Sequence, residues 1–228
     1  NGENITDGFG IKQKDFFYLT KNLSIDVITT GNHWNDQPET EKLILAHKNL
    51  LIPANMNNAP SIDQGCYIAN TSSTPAFAVI NLIGRFAMKG SHSCPFKTAS
   101  LLLEKVRLKT SIIFVDFHAE ATSEKQALAH FLSSKVSLVY GTHTHCQTAD
   151  ERILMKHTGF ITDIGMTGAY NSVIGINKDQ SVNSFVNKKA MKKKFKPAYE
   201  DPWCCGLIVD IEPKTGACKQ ISRIIIKS

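Results

Sequence analysis

Two histidines one residue apart, His143 and His145, close the segment Gly141-Thr142-His143-Thr144-His145, which follows the apolar run 136–140. A loop at the end of a buried strand frees imidazoles from the alternation of a sheet, and a glycine lets the backbone turn close to an ion. Imidazole suits zinc, iron, manganese and related cations. Alone, such a pair is more often a solvated turn than a ligand pair. Three further segments change its weight. Gly31-Asn32-His33 follows the apolar residues 25–30. Asp116-Phe117-His118-Ala119-Glu120 follows residues 111–115. Asn1-Gly2-Glu3-Asn4 begins the sequence. Asn, His and Glu thus recur where β-branched apolar runs end, and in open α/β sheets sites form in the crevice beyond the carboxyl ends of the strands.

Such a set can hold two cations, with Glu3 as the natural bridging carboxylate. Two cations about 3.5–4 Å apart clamp both oxygens of an in-line phosphoryl displacement and supply hydroxide at neutral pH. A leaving alkoxide also needs a proton, and His33, beside Asn32, could supply it. Blander roles compete at several positions. Asn32 fits a strand-ending turn as well as a ligand. Asp116 reads as a partner that orients a ligand imidazole. Glu120 and Glu124 fit a helix start, where the helix dipole favours acids. Asp163 fits either strand-end packing or support of the site. Residues 165–168 read as a backbone turn near the site, with Thr167 close to a phosphate. His47, His92, His130 and His157 match no motif and read as surface or packing residues, although the loop of His92 could reach substrate.

The elements that must position these residues follow from periodicity. Helices are expected over residues 14–23, with Phe16, Phe17, Leu19 and Leu23 as contacts, over 39–48, over 96–107, with Leu101, Leu102 and Val106 on the apolar face, and over 123–132, with Ser123 as N-cap. Strands are expected over 25–30, 66–69, 76–83, 111–115, 136–140 and 160–164, with a Ser/Thr-rich turn at 71–74. Residues 205–211 and 220–226 read as an antiparallel hairpin around Pro213-Lys214-Thr215-Gly216, and 174–199 as a polar excursion. Alternating strands and helices argue α/β, with antiparallel pairing towards the C-terminus.

The chain has 228 residues, 42 % of them apolar, enough to bury one large core. No apolar run reaches the length of a membrane-spanning helix, so no membrane partner is expected. The six cysteines include no C-x-x-C pair and read as reduced thiols of a cytosolic protein, mostly structural; Cys146, beside the H-x-H loop, reads as packing. Much of the net charge of +6 lies in Lys188, Lys189, Lys192, Lys193, Lys194 and Lys196. Only Phe195 interrupts this run with an aromatic, so it reads as a solvated loop in preference to a nucleic-acid patch.

These residues are similar to a known family. Asn1-Gly2-Glu3-Asn4, Gly31-Asn32-His33, the stretch from Val115-Asp116-Phe117-His118 to Glu124-Lys125, Gly141-Thr142-His143-Thr144-His145 and Ile161-Thr162-Asp163-Ile164-Gly165-Met166-Thr167-Gly168 resemble the YmdB-type subfamily of calcineurin-like metallophosphoesterases. Asp150-Glu151-Arg152-Ile153 and Ser172-Val173-Ile174-Gly175 also fit. The resemblance covers nearly the whole chain. It implies one metallophosphoesterase domain over residues 1–228, a sandwich of mixed sheets flanked by helices. It implies a pair of iron or manganese ions, with Glu3 bridging, Asn32, His118 and His143 on one ion, and Asn4 and His145 on the other. His33 would be the acid. The implied activity is hydrolysis of phosphodiesters, including 2′,3′-cyclic nucleotides, with a small phosphodiester or nucleotide as partner and a homo-oligomer allowed.

The resemblance also implies an apolar strand ending in Gly-Asp, a helix and a second strand ahead of Asn1, roughly 30 or more residues, about one βαβ unit. The Asp would be a further ligand, so the position of Asn4 and His145 is expected to bind more weakly in this chain. Other readings stay open: a phosphomonoesterase or nuclease on the same ions, or a regulatory, RNA-associated protein with a degenerate metal site.

Overall fold

The computed structural model describes residues 1–69, 74–187 and 195–228. The lysine run 188–194 and most of the Ser/Thr-rich turn therefore lie outside the described residues. Five α-helices and nine strands are present among those described: α1 Gln13–Phe17, α2 Thr40–Ala46, β1 Cys66–Ala69, β2 Phe77–Ile83, α3 Pro95–Val106, β3 Ile112–His118, α4 Thr122–Leu132, β4 Leu138–Thr142, β5 Arg152–Leu154, β6 Thr158–Ile161, β7 Thr167–Ala169, α5 Lys178–Val186, β8 Pro202–Ile211 and β9 Cys218–Lys227. A π-helical turn, Tyr18–Asn22, extends α1.

The strands form two sheets. The larger has the order β1-β2-β3-β4-β6-β5, and the smaller β7-β8-β9. In the larger sheet β2, β3, β4 and β6 run parallel, and β1 and β5 close its two edges antiparallel. The smaller sheet is antiparallel, and its β9 packs against β5 and β6. The architecture is the expected mixed α/β sandwich.

Alternation along the parallel strands divides the labour of the larger sheet. Ala78, Ile80 and Leu82 of β2 and Ile113, Val115 and Phe117 of β3 face one side. There they meet Ala99, Leu102, Leu103 and Val106 of α3 and Leu128, Ala129 and Leu132 of α4. Asn81, Asp116 and His118 take the intervening positions and share the opposite face. A second apolar cluster, with Ile11, Phe16, Ile28, Trp34, Leu43, Leu50 and Ile52, anchors the N-terminal third of the chain.

Several expectations need correction. Residues 25–30 form no strand beyond a single bridge, Ile28 to Leu50. Their main-chain groups are divided among Gly2, Asn49, Leu51 and the Asn81 side chain, so no continuous ladder develops. β3 runs on to His118, because the buried Asp116 is fully hydrogen-bonded and does not end the strand. α4 begins at Thr122 after Ala121 at the N-cap, without a side-chain cap, so Ser123 is not the cap. Leu23 is 53 % exposed and Leu101 54 % exposed. The buried stripe of α3 is Pro95, Thr98, Ala99, Leu102, Leu103 and Val106, and Leu101 points to the other side of the helix. Cys146 is exposed, not packed, and all six cysteines are free thiols.

The two adjacent leucines of α3 test this face assignment. Leu102→Ala should lower stability by about 2–5 kcal/mol, and Leu101→Ala by less than about 1 kcal/mol. Chemical denaturation of the two variants reads the difference; equal losses would contradict the buried stripe.

Candidate metal centre

The site lies at the carboxyl ends of the parallel strands β3 and β4. Pairing places His118 opposite Thr142, one residue before His143. Thr142 also sets the orientation of His118. Its hydroxyl donates to Asp116 Oδ1 (2.7 Å) and so accepts from His118 Nδ1–H (3.0 Å). Asp116 is held in turn by Asn1 Nδ2 (3.1 Å) and Thr29 Oγ1 (2.5 Å) at its other oxygen. Asp116 thus reaches the imidazole through a threonine. Gly31 lets the ring in: a Cβ there would lie 2.3 Å from His118 Nε2.

With Nδ1 engaged, His118 Nε2 faces three other groups. Glu3 Oε2 lies at 2.9 Å, Asn32 Oδ1 at 3.0 Å and His143 Nδ1 at 3.1 Å. The Nε2 of His143 lies 3.2 Å from Glu120 Oε2, so its proton goes there and a lone pair faces the cluster. Four electron-pair donors therefore meet, with at most one proton to share. Glu3 and His118 are only 2 % and 1 % exposed, so water does not relieve the crowding. Burial alone would raise the Glu3 carboxyl. The facing His118 charge and hydrogen bond, with the His33 amide, outweigh burial and hold it at about 2. Burial, then the His118 charge, lower His143 to about 4 against the pull of Glu3 and Glu120, so its imidazole is neutral at pH 7.

This donor set fits a cation, since neighbouring ligands of a small metal ion sit about 3 Å apart when its bonds are about 2.1 Å. The groups touch pairwise around His118, and no three His, Cys, Asp or Glu side chains among the described residues form a finished cage. The fit is one of donor chemistry, with the Asn32 amide as the fourth member.

A second group sits beside the first. His145 Nδ1–H donates to the Ile174 carbonyl (2.8 Å), which leaves Nε2 to accept from Asn4 Nδ2 (3.2 Å). The other Glu3 oxygen, Oε1, accepts the His33 amide (2.7 Å), and His33 Nδ1 pairs with Asp36 Oδ2 at 2.7 Å. The structure thus brings Glu3, Asn32, His33, His118 and His143 together, with Asn4 and His145 alongside. Thr167 is exposed in β7, hydrogen-bonds the Cys204 sulfur (3.5 Å) and shares no hydrogen bond with the cluster. A surface cavity of about 660 Å³ beside Asn55 and Thr98 contains none of these residues.

Asp163 has a definite place. Its Oδ2 accepts from Lys125 Nζ (2.8 Å), Thr144 Oγ1 (2.7 Å) and Thr144 N (3.2 Å), and its Oδ1 accepts from Gly165 N (2.9 Å). Lys125 and Asp163 are each 1 % exposed. Thr144 lies between His143 at φ 99° and His145 at φ 62°. Non-glycine residues there cost on the order of 1–3 kcal/mol each and persist only when their surroundings enforce them. The Asp163–Thr144 bonds do so. Gly141 serves the same packing: it lies inside β4, and a Cβ there would collide with the Thr162 carbonyl at 1.8 Å.

Reading the residues for chemistry missed Lys125, Thr142, Asn1 and Asp36, because none is a metal-ligand type at a recognisable spacing. Strand register and the buried carboxylates they serve reveal the first three, and the ion pair with His33 reveals Asp36. Glu120 and Glu124 likewise do more than favour a helix dipole. Glu120 faces His143, and Glu124 accepts from the amides of Arg85 and Phe86. His92 bonds Lys89 and His47 packs on Phe16, roles outside the site.

Comparison with known proteins decides the family. The YmdB-like protein family matches residues 1–224. The chain belongs to the YmdB-like family. A relative from Bacillus subtilis (strain 168), named 2′,3′-cyclic-nucleotide 2′-phosphodiesterase, is 38 % identical over 226 residues, 99 % of this chain and 83 % of that protein. A solved protein from Thermus thermophilus superposes with a TM-score of 0.90 at 31 % identity, covering 100 % of this chain and 86 % of that one. A solved phosphatase from Mycoplasma pneumoniae superposes with a TM-score of 0.88 at 30 % identity, covering 99 % of this chain and 80 % of that one. The chain thus shares its fold with a solved phosphatase.

Two outcomes follow for the cation-free chain. Asp163→Ala should cost about 3–5 kcal/mol, since it leaves Lys125 buried without a counter-charge, and adding Lys125→Met should recover part of the loss. Chemical denaturation of single and double variants measures this; no recovery in the double variant would contradict it. Acid should also destabilise the chain in two steps. His143 carries a folded pKa below its ordinary 6.5, so its contribution is full above pH 6.5 and is lost as pH falls to about 4. Glu3, ordinarily 4.5, loses its contribution between there and about 2. Each step is on the order of 1–3 kcal/mol. His143→Gln should remove the upper step alone in a pH series of unfolding free energies, and its persistence would contradict the reading.

Proposed function

We propose that the chain is a cation-dependent phosphodiesterase that hydrolyses 2′,3′-cyclic nucleotides and related phosphodiesters. Family membership and relatives named phosphodiesterase or phosphatase support a hydrolytic phosphoesterase. The observation that carries cation dependence is the meeting of Glu3, Asn32 and His143 on His118 Nε2. Iron or manganese suits this set of carboxylate, amide oxygen and imidazoles. One ion would be held by these four residues, and a second by Asn4 and His145 with Glu3. When bound, such cations polarise a phosphoryl oxygen and make a nucleophile of water at neutral pH.

The chain's own residues supply the proton. Asp36 engages Nδ1 of His33, which leaves Nε2 as the atom that exchanges it. The His33 side chain is 39 % exposed, so substrate can reach it, and its amide bond to Glu3 Oε1 ties it to the cluster. As a water oxygen joins phosphorus and the bond to the leaving oxygen breaks, His33 passes the Nε2 proton to that oxygen. His118 and His143 keep their lone pairs on the cluster because Thr142 and Glu120 engage their other nitrogens.

The test is turnover of 2′,3′-cyclic AMP with manganese or iron added, alongside metal content per chain. Activity should require the cation, and His118→Ala should lose both. His33→Ala should keep the metal and lose turnover by about 10²–10⁴-fold, with a smaller loss on a p-nitrophenyl diester, whose leaving group needs no proton. Metal loss in His33→Ala would make His33 a ligand. Hydrolysis of monoesters alone would make the enzyme a phosphomonoesterase.

A further inference from the structure

Residues 173–176 form a two-residue hairpin. The amides and carbonyls of Val173 and Ile176 bond reciprocally at 2.9 Å, and the central residues Ile174 and Gly175 have φ of 49° and 93°. Positive φ at both central positions is the type I′ pattern, for which Asn-Gly is the preferred pair. Gly175 fits. Ile174 does not, because a β-branched side chain is among the worst for left-handed backbone. Its side chain offers little in return to the core, being 46 % exposed. Folding alone would therefore favour asparagine at this position.

The place of Ile174 supplies another reason for the isoleucine. Its carbonyl accepts from His145 Nδ1, whose Nε2 meets Asn4. Ile174 thus stands next to the outer half of the proposed cation site. Ile5, the neighbour of Asn4 in sequence, is also 40 % exposed. The hairpin is fixed from behind by Gly175 N on Ser172 Oγ (2.9 Å) and by Ala198 N on the Gly175 carbonyl (2.8 Å). A residue with left-handed backbone and a half-exposed aliphatic side chain is therefore anchored, through its carbonyl, on His145 of the proposed cation site.

Resting on the phosphodiesterase reading, we propose that Ile174 is a specificity-determining residue, an aliphatic wall against which the flat, weakly polar base of a nucleoside diester packs while its phosphate lies in the metal centre. The main-chain carbonyl that holds His145 is common to every substitution at this position, so side-chain variants separate the wall from the placement of the histidine.

The experiment compares wild type, Ile174→Asn and Ile174→Gly with 2′,3′-cyclic AMP and with ethylene phosphate, which has the same five-membered cyclic diester and no nucleoside. Ile174→Asn should raise the thermal unfolding midpoint, since it completes the favoured turn pair. Both variants should raise the ratio of KM for cyclic AMP to KM for ethylene phosphate by about tenfold, the scale of one lost aliphatic contact. Binding of adenosine 3′-phosphate, read by calorimetry, should weaken by a similar factor and reports on the wall without turnover. An unchanged ratio with unchanged binding would overturn the proposal. So would a fall in midpoint with equal loss on both diesters, which would make Ile174 structural. Wild type that turns over neither diester would sink the phosphodiesterase reading, while the adenosine 3′-phosphate comparison still decides the wall.

Discussion

The arrangement depends on a local excess of electron pairs. A carboxylate, an amide oxygen and two imidazole nitrogens meet at about 3 Å around His118 Nε2, inside the protein, with one proton at most among them. Such a meeting is unfavourable unless a positive charge occupies it. Each neighbouring feature keeps the four donors from turning away. Thr142 and Asp116 fix one ring, Glu120 faces the far nitrogen of the other, and the His33 amide holds the free oxygen of Glu3. The absence of a side chain at Gly31 is part of the same device, because any Cβ would occupy the space of the imidazole.

The strand geometry explains why these residues can be found together. Parallel strands end at one edge, and alternation sends every second side chain to the same face. Asp116 and His118 therefore rise on the face opposite Phe117, away from the helices α3 and α4. The apolar positions of β3 build the core and its polar positions build the site, with no loop between them. His143 and His145 do need a loop, and they reach inward only through left-handed backbone. The buried Lys125–Asp163 pair answers that need: it fixes an acceptor where Thr144 must donate, between the two strained histidines.

Much of this was legible in the amino-acid order. The G-x-H-x-H segment, the Asn-His pair after an apolar run and the Asp-Phe-His segment pointed to strand ends, and the alternation of apolar runs pointed to α/β. Each misreading has a physical cause. Asp116 looked like the end of a strand because a lone carboxylate is rarely buried, and its partners Asn1, Thr29 and Thr142 come from distant parts of the chain. Residues 25–30 looked like a strand because their pattern is that of one, yet their main-chain partners are scattered. Leu101 looked buried because leucine usually is, although a rotation of about 100° per residue turns it from its neighbour Leu102. Long-range hydrogen bonding decided the first two cases and helix phase the third, and a local pattern of residue types carries little record of either.

The two halves of the site differ in how firmly they are built. Glu3 and His118 are almost wholly buried, and His118 is the last residue of a strand paired on both sides. Asn4 and His145 hold each other on irregular backbone, and His145 leans on the tip of a hairpin that is itself strained. Charge follows the same division. The Glu3 oxygen facing His118 brings its carboxylate to the first half, whereas the Asn4–His145 contact includes no carboxylate. A divalent ion gains most where a carboxylate and fixed imidazoles already converge, because less ordering of the protein is then needed on binding. The first half is therefore the more firmly built part of the cluster. The second half, next to Ile174, lies closer to solvent, since Asn4 and His145 are only half-buried.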